Sequence, residues 1–112
     1  ILENNKIETE TISNKKGVAV GVFGETVQIN KSINDINISD YDGLVLIGGS
    51  GCLSNLDNQK TYELIRSMIK ENKVLGSICI SPVILAKSGV LKNKNATAWK
   101  SSINKISIKV FQ

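Results

Sequence analysis

Apolar and polar residues change their rhythm several times along the 112 residues, and each rhythm predicts an element. Val18, Val20 and Val22 alternate with small residues, a Gly24-Glu25 turn follows, and Val27 and Ile29 resume the alternation, which predicts a β-hairpin. Lys6 to Ile12 reads as a short strand ahead of it. Leu44 to Ile47 is an unbroken apolar run, the pattern of a parallel strand buried on both faces. Residues 58–71 then place Leu64, Ile65, Met68 and Ile69 on one helical stripe, with Asp57 as the expected N-cap. Val74, Leu75 and Ile78 form the next strand, and Val83 to Ala86 the next helix. Strand, helix, strand, helix implies right-handed crossovers and an α/β, three-layer sandwich with a mostly parallel sheet.

The ends look cut. The chain does not begin with Met, ILENN resembles the tail of a helix, and Ile106, Ile108 and Val110 alternate as a strand would. The expectation is one domain over residues 1–112, belonging to a longer protein.

Composition removes several function classes. No apolar run approaches a membrane span, and the polar opening is no signal peptide. Two cysteines at unrelated spacing make no disulfide framework, and without histidine they make no zinc site, so neither metal nor cofactor is expected. A reducing cytoplasm fits such cysteine usage. The net charge of +4 comes from scattered lysines, with Lys92, Lys94 and Lys100 reading as solvated surface, so no nucleic-acid partner is expected. Tyr62 and Trp99 read as packing residues.

The candidate chemistry centres on Cys79, where the strand gives way to the helix. At a nucleophile elbow the reactive side chain sits in a strained backbone conformation, and the positions two before and two after must be small. Ser77 and Ser81 satisfy that spacing, Pro82 suits the first helical position, and Ser81 can cap. A helix N-terminus beside the sulfur favours thiolate over thiol. The alternative is a small buried hydrophobe at a strand end. Locally the two readings stand level, and the elbow spacing tips the balance.

Gly48, Gly49 and Gly51 tip it further. Glycines at the carboxyl end of a parallel strand let backbone amides approach a ligand, and one tight turn does not need three of them. If the two strands are neighbours, amides near Gly49 and after Cys79 converge as an oxyanion hole does. Cys52, on the same sheet edge, is either a second redox cysteine or a space-filling side chain.

DYDGLVLIGGSG, then a helix, then KVLGSICISPVILAKSGVLKNKNAT resembles the DJ-1/PfpI family, within the class I glutamine amidotransferase-like superfamily. The shared pattern is a strand ending in Gly-Gly, a helix, a strand running into a cysteine elbow with Pro soon after, and a following helix. It covers residues 40–98 closely and the preceding residues more loosely. The resemblance implies a flavodoxin-like fold, a homo-oligomer, commonly a dimer, and small carbonyl or peptide substrates. Members are described as intracellular proteases, deglycases or glyoxalases, and chaperones. It implies Cys79 as the nucleophilic or redox-sensing cysteine, and Gly49 and Ile80 as the residues whose amides face the substrate oxygen.

The chain departs from that family pattern in places. Ile80 stands where one branch has histidine after the cysteine, Trp99 falls about where some members place another histidine, and Ser81 replaces a glycine. The family's first strand and its cysteine-bonded glutamate would precede Ile1, and Glu25, in the hairpin turn, is no substitute. Two function classes follow: a cysteine-dependent hydrolase of the protease, deglycase or glyoxalase type, or a non-catalytic redox-responsive or chaperone-like member.

Overall fold

The computed structural model describes residues 3–21 and 23–98, which fall into two compact units, one through Ile36 and the other from Asn37. In the first, a 3-10 turn at Glu3–Asn5 precedes β1 (Ile12–Ser13), β2 (Gly17–Val20), β3 (Thr26–Ile29) and β4 (Lys31–Ser32). The expected strand from Lys6 is confined to Ile12 and Ser13, which pair in parallel with Lys31 and Ser32. Residues 6–11, with two glutamates and two threonines among them, offer no apolar face to hold a longer strand, and all six are exposed.

The hairpin forms as the alternation predicts. β2 and β3 are antiparallel, with Gly17 opposite Ile29 and Val20 opposite Thr26. Gly24, at φ 85°, turns the chain, and the Phe23 amide donates to Glu25 Oε2 at 3.1 Å, which keeps Glu25 in the turn. The apolar positions do not share one buried face: Ile29 is buried, whereas Val18, Val20 and Val27 are exposed. At the end of β4, Ser32 donates from both its amide and its hydroxyl to Asp35 Oδ2, each at 2.9 Å, closing a 3-10 turn over Ile33–Asp35. Those two donors hold the Asp35 carboxyl below the usual carboxylate range, with Lys16 assisting.

The second unit carries the α/β pattern. A 3-10 turn at Ile38–Asp40 leads into β5 (Gly43–Leu46), which pairs in parallel with β6 (Val74–Ser77) in the register Gly43–Val74 to Leu46–Ser77. Between them run α1 (Cys52–Leu56) and α2 (Gln59–Lys70), and α3 (Pro82–Ser88) follows β6. The core gathers Leu46, Cys52, Ile65, Ile80, Val83, Ile84 and Leu85, with Leu44 and Leu75 packed against it. Fully burying an Ile or Val side chain contributes about 1.5–3 kcal/mol, so Ile65, Val83 and Ile84, all at 0% exposure, anchor this layer.

Three expectations change here. β5 is buried on one face only: Leu46 lies in the core, while Val45 and Ile47 point away from it and are exposed. Asn58, rather than Asp57, caps α2, accepting from the Thr61 amide at 3.1 Å. Asp57 instead accepts from the Tyr62 hydroxyl and the Lys87 ammonium, tying the start of α2 to α3. The apolar stripe of α2 turns inward through Thr61, Ile65 and Met68, leaving Ile69 half exposed. α2 ends with Asn72 at φ 56°, the Asn72 amide donating to Ile69 and the Lys73 amide to Met68. That pair of bonds is a Schellman stop, and it delivers the chain directly into β6. The strand expected at Ile106–Val110 lies outside the described residues, as do Trp99 and Lys100.

Candidate functional site

β6 carries the chain to the edge of the core, and a four-residue turn, Ile78 to Ser81, links it to α3. The Ser81 amide donates to the Ile78 carbonyl at 3.2 Å, closing that turn. Cys79 is its first central residue and has φ 62°. A Cβ there crowds the backbone, and a left-handed non-glycine residue costs about 1–3 kcal/mol. The structure therefore holds a cysteine at a position where a turn prefers glycine, and leaves it exposed at the surface. The reading of Cys79 as a buried strand-end hydrophobe is thereby excluded.

The end of β5 lies directly against this turn. A Cβ built on Gly48 would stand 2.7 Å from Cys79 Cβ and 2.9 Å from both the Ile78 carbonyl oxygen and the Ile80 nitrogen. Only glycine fits that approach. Gly49 follows with φ 149° and open space around its Cα, so its constraint is conformational rather than steric. Of the two glycines the sequence pointed to, it is Gly48 that lies against the Cys79 turn. Among the described residues the amides of Gly49 and Ile80 make no hydrogen bond. The Ile80 side chain is buried in the core and anchors the turn.

Ser77 and Ser81 do more than stay small. Ser81 is fully buried at the N-cap position of α3, yet its hydroxyl caps no helical amide. It turns back to the strands, where Ser81 Oγ lies 2.8 Å from Ser77 Oγ, 3.1 Å from the Ile78 nitrogen, 2.7 Å from the Ile78 carbonyl and 2.8 Å from the Leu46 carbonyl. The expected side-chain cap is corrected accordingly, because Ser81 has helical backbone angles and cannot reach forward to the first turn. Pro82 takes the first helical position as expected.

Cys52 opens α1, a five-residue helix the sequence did not suggest, and its amide donates to the Gly49 carbonyl at 3.1 Å. It is buried at 6% exposure in the core, so it fills space there, but from a helix. Burial pushes its thiol pKa up, and the neighbouring Cys79 and Asp57 push the same way. A buried thiol of raised pKa is a poor nucleophile. Tyr62 is also raised, to about 12, by burial and by its bond to Asp57. Among the described residues no three His, Cys, Asp or Glu side chains assemble as a metal site.

A cysteine held left-handed between a strand and a helix, with Gly48, just past the adjacent parallel strand, pressed against it, defines an α/β protein with its exposed cysteine in a strand-to-helix turn. The chain belongs to the DJ-1/PfpI family, whose model matches residues 1–110. It is 39% identical over 100 residues to a protein of Methanocaldococcus jannaschii, covering 88% of this chain and 49% of that one. It is 35% identical over 92 residues to Deglycase PfpI of Pyrococcus furiosus, covering 82% and 55%. The crystal structure of a ThiJ/PfpI domain protein from Brachyspira murdochii superposes with a TM-score of 0.84 at 24% identity, over 96% of this chain and 61% of that one. The fold is therefore the flavodoxin-like α/β fold of that family. The chain spans about half the length of the curated relatives it matches.

Proposed function

We propose that the protein is a cysteine-dependent enzyme of the deglycase or hydrolase type, with Cys79 as nucleophile and a small carbonyl compound or peptide as substrate. The observation that supports it most is the exposed Cys79 at φ 62° with Gly48 against its Cβ. Strain is retained in a fold where the surroundings over-determine it, and such positions cluster at reactive sites. The relatives named deglycase point to carbonyl chemistry.

In this reading the Cys79 sulfur adds to the carbonyl carbon of a 2-oxoaldehyde or its adduct. A carbon–sulfur bond forms, the carbonyl π pair moves to oxygen, where the Gly49 and Ile80 amides stabilise the developing charge, and the proton given up by the thiol reaches that oxygen through solvent, leaving a hemithioacetal. Preorganised amide donors of this kind are worth about 2.7–4 kcal/mol each at a developing oxyanion. These 112 residues contain no histidine, so a base acting from within them is not an imidazole. The complete protein is tested by following consumption of methylglyoxal and release of amine from glycated peptide. Turnover that disappears in Cys79→Ser and persists in Cys52→Ser supports the reading. Turnover that survives Cys79→Ser sinks it, and an inert wild type whose Cys79 only oxidises reversibly would favour the redox-responsive alternative.

A further inference from the structure

The Ser81 hydroxyl makes an unusual set of contacts. Its partners are both polar groups of Ile78, the carbonyl of Leu46 at the end of β5, and the Ser77 hydroxyl. A hydroxyl has one proton and two lone pairs. The consistent arrangement has Ser77 Oγ and the Ile78 amide donating to Ser81 Oγ, whose own proton goes to the Ile78 carbonyl, the shorter of its two acceptor contacts at 2.7 Å. Ile78 is the residue immediately before the left-handed Cys79. Its carbonyl belongs to the same peptide plane as the Cys79 amide, so bonding that carbonyl fixes the plane about which the Cys79 φ is measured.

Each backbone group involved has a second partner. The Ile78 amide also donates to Leu46 at 3.2 Å, and the Ile78 carbonyl also accepts from the Ser81 amide at 3.2 Å. Removing the hydroxyl therefore orphans no buried backbone group, and what it removes is the constraint. We propose that Ser81 is a positioning residue: its buried hydroxyl holds the Ile78 peptide plane and keeps Cys79 left-handed against Gly48. The proposal rests on Cys79 being the reactive group of the site.

The test is a double-substitution cycle in the complete protein, read as melting temperature. Cys79→Gly relieves the left-handed strain, and in the Ser81 background it raises the melting temperature by about 2–4 °C for a protein of 150–250 residues. In the Ser81→Ala background the turn has already relaxed, and the same change raises it by less than half as much. Ser81→Gly serves as the second background should Ser81→Ala not fold. An equal effect of Cys79→Gly in both backgrounds, whatever its sign, overturns the proposal, because a hydroxyl that merely packs the core would give additivity. Methylglyoxal turnover is the second readout: Ser81→Ala lowers kcat at least fivefold, on the order of 1 kcal/mol, with KM within about twofold. A wild type without turnover counts against the proposed function alone, and the temperature cycle then decides the role of Ser81.

Discussion

Gly48→Ala is the substitution that interrogates the site most sharply. The added methyl would meet Cys79 Cβ at 2.7 Å and the Ile78 oxygen and Ile80 nitrogen at 2.9 Å, where ordinary contact begins near 3.4 Å. None of these atoms is the free end of a flexible side chain. Two are backbone atoms of the turn, and the third is fixed to a left-handed Cα. β5 and β6 must therefore separate by several tenths of an ångström, or the turn must shift. Overpacking of this kind costs about 1–3 kcal/mol. The assay is urea denaturation followed by far-UV circular dichroism, reading a lower midpoint at unchanged slope. Gly51→Ala is the control, because its Cβ would meet only the Asn55 amide nitrogen at 3.1 Å, and that side chain can move. Its cost at an N-cap is under about 1 kcal/mol. If Gly48→Ala were within about 0.5 kcal/mol of wild type, an ordinary surface result, the close approach of β5 to the Cys79 turn would be refuted.

Two further outcomes follow from other parts of the second unit. Asn58→Ala removes the cap of α2 and lowers stability by about 1 kcal/mol, whereas Asn58→Asp is near neutral, and equal losses from both in urea melts would show that the cap is not the cause. The Tyr62 pKa is raised in the folded state to about 12 from 10.0, so its contribution is complete below pH 10 and is lost as pH rises toward 12. Cys52, also raised by burial, adds to the same alkaline loss beginning above its ordinary value of 9.0. Alkaline melts should thus fall less steeply between pH 10 and 12 for Tyr62→Phe than for wild type, and parallel curves would contradict the assignment.

Much of this was legible in the sequence, for identifiable reasons. The hairpin, the parallel strand pair and the Cys79 turn rest on local patterns (alternation, an apolar run, small residues at fixed spacing), and these survive folding because the competing options are costly. What the sequence hid depends on contacts between distant positions. Whether Asp57 or Asn58 caps α2 is not decided by propensity, since both residue types cap well. It is decided by Lys87, thirty positions away, and by Tyr62, both of which engage Asp57. Gly48 and Gly49 look equivalent as letters, and only the pairing of β5 with β6 sets one against the elbow and leaves the other in open space. Ser81 signalled a small residue and a helix cap, while its buried hydroxyl serves the strands rather than the helix. α1 was hidden because five residues are too few for a period to register, although Cys52, Leu53 and Leu56 fall at helical spacing and pack in or against the core.

The most direct measurement is competitive alkylation of the two cysteines in the native protein with a limiting amount of iodoacetamide at neutral pH, read by mass spectrometry of the separated peptides. Cys79 is exposed in a strained turn and Cys52 is buried near it. The account predicts that Cys79 is labelled at least an order of magnitude faster, and that Cys52 becomes comparable only after unfolding in urea. Equal labelling of both in the native protein, or a Cys79 that reacts only once the chain unfolds, would contradict a turn that presents its thiol to solvent.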